Sequence, residues 1–204
     1  MILTDIGEVG AHLDGRDVVL RPSLYAMSKI GNGKEIVETF SILMTPSATV
    51  DAAKVQLQAA LMVLYCCTEE DVTDVFGYWG EEGFVPGMVP TVNLVVLARC
   101  LMRHGVTGAL APLPVRPEDD GPEFVGEFDV RAMVAMCMAH LSMGERDAWN
   151  STMTSIVGAL RAKFPPPPSK APGAARAPSR EEYDDIRLWL DKIEAKRRKR
   201  SGVH

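Results

Sequence analysis

Four consecutive prolines at 165–168 divide this chain into two parts of different character. Proline lacks an amide hydrogen and its ring clashes with the preceding helical turn, so no helix continues through such a run. The segment 165–178 is rich in Pro and Ala, which is typical of an extended, semi-rigid linker. We therefore expect a body at 1–164, a linker at 165–178 and a separate segment at 179–204.

The body shows helical spacing of apolar residues behind a short β-hairpin. Apolar runs on both sides of Asp14-Gly15 predict the hairpin within the first 22 residues, and a lone hairpin must pack on other elements to be stable. The expected fold class is mainly α: an N-terminal β-hairpin packed on a multi-helix bundle, a Pro-rich linker and a C-terminal amphipathic helix. Apolar periodicity and capping residues place the helices of the body at 23–30, 34–44, 48–67, 68–78, 91–104, 130–141, 145–149 and 152–164.

Three local expectations follow from this pattern. Gly105 is expected to end the helix at 91–104, and residues 80–90 are expected to form a Gly/Pro loop. The apolar side of the helix at 48–67 is expected to include Val55, Leu57, Leu61, Met62 and Leu64.

Charge is distributed unevenly along the chain. Residues 1–164 carry 12 basic and 21 acidic side chains, a net charge of −9, whereas residues 165–204 carry 10 and 6, a net charge of +4. An acidic body argues against a nucleic-acid binder. Aromatic residues make up only 6% of the chain, but 11 residues are Met. This composition favours adaptable apolar surfaces.

The four cysteines do not form the framework of a small secreted domain. Cys66, Cys67, Cys100 and Cys137 lie in apolar, helix-like surroundings and are expected to be free buried thiols. The N-terminus lacks the pattern of a signal peptide, and no apolar stretch reaches the roughly 20 residues that span a bilayer. We expect the protein to stay in the cytoplasm where it is made, without a membrane partner.

One Cys/His set has spacings compatible with zinc. Cys100 and His104 are four residues apart, and Cys137 and His140 three, so each pair shares one helical face. The loops that usually present structural zinc ligands are absent, and buried cysteines beside solvated or capping histidines are the preferred interpretation. We expect no metal site and no cofactor.

The charged clusters have structural explanations as well. Glu69, Glu70, Asp71 and Asp74 are explained as partners of a helix dipole, and no phosphate-binding loop or nucleophile elbow occurs. The basic run 196–200 has no interleaved aromatic residues and is expected to contact an acidic partner rather than nucleic acid. The sequence shows no catalytic constellation, and we expect that the protein is not an enzyme.

The segment behind the linker predicts an amphipathic helix. Residues 179–182 have the spacing of a capping box, and a tethered helix with one apolar stripe suits docking into a partner's groove. The alternative is that this helix folds back onto the body. The residues expected to bind a partner are Tyr183, Ile186, Trp189, Leu190 and Ile193.

The chain resembles the tail assembly chaperones of long-tailed bacteriophages. The order of several short segments carries the resemblance, although each segment alone is unspecific. These segments are residues 1–8, 20–31, 35–40, 101–108, 128–142, 149–154 and 180–183.

The resemblance implies a non-catalytic role in tail morphogenesis in the host cytoplasm. Such chaperones bind the long, helical tape measure protein, keep it soluble, help to recruit tail tube protein subunits, and are absent from the finished virion. Self-association is also compatible with this role. The alternative is a structural virion component, such as a head–tail connector or a minor tail protein, which would remain in the particle. A regulator that uses its basic tail on nucleic acid is a further rival.

Overall fold

The computed structural model describes residues 2–13, 15–111 and 126–165. Within these ranges the chain is mostly α-helical, with two small antiparallel sheets. The mainly α class is therefore confirmed. The predicted linker beyond Pro165, the predicted C-terminal amphipathic helix and the five binding residues predicted on it lie outside the described residues.

The N-terminal sheet has three strands rather than the two of a simple hairpin. Strand β1 (Ile2–Leu3) pairs with β2 (Val9–Leu13), which pairs with β3 (Arg16–Leu20). The chain turns between β1 and β2 because Gly7 adopts a φ of +89° and donates its amide to the carbonyl of Thr4. The stretch before Asp14, which was predicted as the first strand of the hairpin, is thus divided by this turn into β1 and β2.

Two short connected helices follow the sheet. Helix α1 (Leu24–Ile30) starts at Ser23, whose side chain accepts the amide of Ala26. Helix α2 (Gly33–Met44) starts at Asn32 in a capping box with Glu35. The predicted start at 34 was one residue late, because the Asn32 side chain accepts the amides of Lys34 and Glu35 and the helix begins at Gly33.

Helix α3 (Val50–Cys66) is capped by Thr49. Its buried side differs from the predicted one, because Val55 and Met62 are exposed. The residues that α3 buries are Gln56, Ala59, Ala60, Leu61, Val63 and Leu64.

The predicted helix at 68–78 is only one turn long, α4 (Thr73–Phe76). In the residues before it, a side chain bonds to the nearby chain instead of a helical turn forming. The Asp71 carboxylate accepts hydrogen bonds from both the amide and the hydroxyl of Thr73. The predicted Gly/Pro loop contains a hairpin, β4 (Tyr78–Gly80) and β5 (Gly83–Val85).

Helix α5 (Thr91–Met102) continues into a π-helical turn, Arg103–Thr107. Gly105 does not end the helix as predicted. It lies inside the π turn, where a Cβ would approach the sulfur of Met27 to 2.7 Å. The residue with left-handed backbone geometry is Gly108, three residues later.

Three helices complete the described body: α6 (Val130–Leu141), α7 (Glu145–Asn150) and α8 (Met153–Lys163). Asp129 and Thr152, which directly precede α6 and α8, both accept helix amides. A continuous apolar core joins the sheet to helices α1 to α8. Its largest fully buried side chains are Phe76, Leu20, Leu24, Met27, Ile36, Leu43, Leu64, Leu94, Leu101, Met102, Ile156 and Val18.

Candidate interaction groove

A concave apolar surface lies between the N-terminal halves of α3 and α5. The C-terminal halves of these helices contribute Ala60, Leu64, Ala98 and Leu101 to the core. The N-terminal halves instead line an open groove of about 590 Å³. The groove is lined by Pro46, Ser47, Val50, Ala53, Lys54, Gln56, Leu57, Thr91, Val92, Val95, Val96 and Arg99.

The walls of the groove expose large apolar side chains to solvent. Val50, Val92 and Val96 are 74%, 76% and 62% exposed. Valine has few rotamers, so these walls keep a fixed shape. Clustered apolar exposure of this kind marks interaction surfaces, whereas single exposed apolar residues are ordinary.

Polar bonds beneath the groove hold it to the rest of the body. Gln56 is 6% exposed, and its Nε2 donates to the carbonyl oxygens of Ile42 at 2.9 Å and Thr45 at 2.8 Å. Arg99 Nε donates to the carbonyl oxygen of Leu43. These carbonyls lie at the end of α2, where helical carbonyls lack partners within the helix. The groove therefore rests on a fixed junction of α2, α3 and α5.

The charges in the groove have one sign. Lys54 and Arg99 are the charged residues among those that line it. Arg99 is held by a neutral carbonyl, and Lys54 has Asp51 at 4.0 Å, at the outer limit of an ion pair. The charged side chains that line the groove are thus both basic, on a body that is acidic overall.

A second exposed apolar surface lies on the β4–β5 hairpin. The rings of Trp79 and Phe84 are tilted against each other with centroids 5.7 Å apart, and Tyr78 and Val85 are exposed beside them. The hydroxyl of Tyr65 donates to the carbonyl of Gly77 and ties the hairpin to α3. This surface lies on a short ribbon of two antiparallel strands and offers an aromatic contact.

The second cavity, of about 400 Å³, lies between the starts of α2 and α6. Asn32 and Asp129, which line it, are already engaged as helix caps. Its other polar residues include Ser28, Glu127 and Arg131. No buried side-chain nitrogen or oxygen in the described part of the chain is left without a partner, and Glu127 and Arg131 at this cavity are exposed to solvent.

His104 is part of a structural junction. Its Nδ1 lies 2.8 Å from Oγ1 of Thr154, Gly7 packs against its ring, and partial burial lowers its pKa. Thr152 donates to the carbonyl of Ile6 beside it. His104 thereby joins the N-terminal turn, the π turn and α8.

The Cys/His set considered for zinc does not come together. Within residues 2–13, 15–111 and 126–165, no three His, Cys, Asp or Glu side chains are placed to share a metal ion. His140 instead packs edge-on against Phe164. Cys67 and Cys137 are buried and Cys66 and Cys100 half-buried, all four as free thiols, and burial raises the pKa of each.

The groove was not among the sequence predictions. Val55 and Leu57 were assigned to the core side of α3, and the predicted binding residues Tyr183, Ile186, Trp189, Leu190 and Ile193 lie outside the described residues. No sequence signal marked the groove, because the exposure of Val50, Val92 and Val96 depends on the packing of α3 against α5.

Comparison with known proteins gives one family. Residues 20–185 match the family described as "Family of unknown function (DUF6246)". No curated protein and no solved structure matches the chain. None of the helices in the described ranges is long and apolar enough to cross a membrane.

Proposed function

The chain belongs to the DUF6246 family of unknown function, and we propose that it is a phage tail assembly chaperone that binds the tape measure protein. The observation that carries the proposal is the open apolar groove between α3 and α5. The partner is inferred from the sequence resemblance to tail assembly chaperones, and the groove is a surface suited to binding it.

A groove of this kind fits a helical partner. Amphipathic helices dock their apolar face into hydrophobic grooves through residues spaced three or four apart. A tape measure protein is long and helical, so it presents such faces until the tail tube encloses it. Covering one face in the groove would keep the unassembled partner soluble.

The exposed apolar surfaces also suit an adaptable binder. Met62 and Met88 are exposed at separate places on the body. Methionine side chains repack easily against different partners. The tail tube protein would then be recruited through a second surface, for which the aromatic β4–β5 hairpin is the proposed candidate. No step of this role makes or breaks a bond.

The test is co-expression with the tape measure protein of the same phage. The proposal expects the partner to become soluble and to co-purify with the chain in the host cytoplasm. A well-folded chain that neither associates with the partner nor raises its solubility would overturn the proposal. Abundance of the chain in purified virions, measured by mass spectrometry, would instead favour the structural virion component.

A further inference from the structure

The outward face of the N-terminal sheet has a shape and a charge pattern that match a second copy of itself. We propose that two copies of this chain associate through this face, with strand β2 of one copy stacked on strand β3 of the other. The inference concerns the purified chain alone and does not depend on the proposed function.

The two faces of the sheet differ in burial. Side chains alternate between the faces along each strand, and the residues buried on the inward face are Val9, Ala11, Val18 and Leu20. The register pairs Gly10 with Val19 on one side and with Ile2 on the other. These three residues form one row across the outward face, in which Ile2 is 74% and Val19 is 48% exposed. The sheet therefore presents to solvent an apolar row that crosses all three strands.

Gly10 forms a notch in the middle of this row. Its φ lies outside the left-handed region, and apart from its chain neighbours the nearest atom to a Cβ built there is the carbonyl oxygen of Ile2, at 3.9 Å. The packing of the described residues therefore does not require a glycine at this position. A glycine inside a strand weakens the strand and often marks a place that another backbone or ligand approaches closely. The notch leaves room for a side chain from outside.

A cross-strand pair of polar groups flanks the row on each side. On one side, Arg21 Nε donates a hydrogen bond to Oε1 of Glu8. On the other side, Nδ1 of His12 lies 2.7 Å from Oδ1 of Asp17, and both side chains are mostly exposed. In each pair, one residue belongs to the β2 side and its opposite belongs to the β3 side. Stacking β2 on β3 of a second copy therefore brings complementary groups together.

A two-fold axis parallel to the strands brings these features into register. Such an axis keeps the strand direction and places β2 of one copy over β3 of the other, as in an isologous interface. Val19 then lies over the Gly10 notch of the second copy. In the flanking rows, each group lies over the opposite member of its pair, for example His12 over Asp17. A two-fold axis perpendicular to the strands would stack Gly10 on Gly10 and leave a gap without packing contacts.

The size of the face determines how strongly two copies associate. The three strands are only two to five residues long, so the face is smaller than the roughly 800 Å² per partner that stable complexes bury. We therefore expect a weak dimer, with a Kd on the order of 10–100 µM.

Sedimentation equilibrium of the full chain, at concentrations from about 1 µM to about 500 µM, measures this Kd. Gly10→Val fills the notch and should weaken dimerisation by about tenfold or more, because Val19 of the second copy no longer fits. The same substitution should keep or raise the free energy of unfolding of the body, since β-branched residues suit strands. Gly126→Val, where a Cβ has no atom within 4 Å, is the control and should dimerise like the wild type.

Charge exchange between copies is the second test. An acidic chain carries His12→Glu, and a basic chain carries both His12→Lys and Asp17→Lys. Each chain alone should dimerise more weakly than the wild type, because like charges then face each other across the two-fold axis. An equimolar mixture should form heterodimers at least as tightly as the wild-type chain dimerises, since each stacked pair then joins opposite charges.

Three results would overturn the proposal. The first is a wild-type chain that stays monomeric at the highest concentration. The second is a Gly10→Val chain that dimerises like the wild type, or no more weakly than Gly126→Val. The third is a mixture of the acidic and basic chains that associates no more than either chain alone. This last test still decides if Gly10→Val does not fold, because His12 and Asp17 are both exposed. Binding of the tape measure protein is a separate measurement.

Discussion

Gln56 of α3 and Arg99 of α5 both donate a hydrogen bond to the carbonyl oxygen of Leu43, the Gln56 contact at 3.3 Å. Side chains of α3 and α5 thus both bond to the C-terminal end of α2. Because both side chains also lie under the groove, the bonds that satisfy the α2 terminus fix the spacing of the groove walls.

Replacement of Gln56 by Leu should destabilise the body. The substitution keeps the volume but leaves the carbonyls of Ile42 and Thr45 without their donor, which costs about 1–3 kcal/mol for buried groups. Chemical denaturation followed by circular dichroism measures the free energy of unfolding. Gln58→Leu, on the exposed side of the same helix, is the control and should change it by less than about 0.5 kcal/mol. Equal effects of both substitutions would contradict the assigned role of Gln56.

Gly7→Ala should lower stability more than Gly15→Ala. Both glycines have positive φ, +89° and +80°, so both substitutions carry a backbone cost of about 1 kcal/mol. A Cβ at Gly7 would also overlap the ring of His104, whereas nothing lies within 4 Å of a Cβ at Gly15. The difference in unfolding free energy between the two variants measures the overlap. If Gly15→Ala is the more destabilising, the packing of the N-terminal turn on His104 is wrong.

Stability should fall as the pH drops below about 6.5 because of His104. Burial lowers the pKa of this side chain from its ordinary value of 6.5, so the unfolded chain takes up a proton at a higher pH than the folded chain. The contribution of neutral His104 is therefore fully present above 6.5 and is lost as the pH falls towards the folded-state pKa. Wild type and His104→Asn are compared by denaturation at pH 7.5 and 5.5.

The wild type should lose more stability than His104→Asn over that interval. A stability difference between the two chains that is independent of pH, or that grows on acidification, would contradict the burial of a neutral imidazole at the junction of Gly7 and Thr154.

Local signals in the sequence predicted the helix starts well. Ser23, Asp129 and Thr152 each precede a helix and each accept a helix amide, because capping depends on neighbours within three residues. Features that depend on distant contacts were missed. The π turn accommodates Gly105 against Met27, and the β4–β5 hairpin is anchored by Tyr65 from another element.

The groove was missed for the same physical reason. The spacing of apolar residues in α3 does not reveal which of them α5 covers, so Leu57, which lines the groove, was assigned to the core side. Exposure of Val50, Val92 and Val96 depends on how far apart two helices lie at their first turns. That distance is set by the tertiary bonds of Gln56 and Arg99, which no local pattern encodes.

The most direct test of the account is the affinity of the tape measure protein for a chain with Val92→Glu and Val96→Glu. Both positions are mainly exposed in the free chain, so the fold should persist, with an unchanged circular dichroism spectrum. Charges in the groove should weaken binding by about a hundredfold or more, since each Val contributes about 1–2 kcal/mol when buried by a partner. Met138→Glu, on the exposed face of α6, should bind like the wild type. Undiminished binding by the doubly substituted chain would contradict the account.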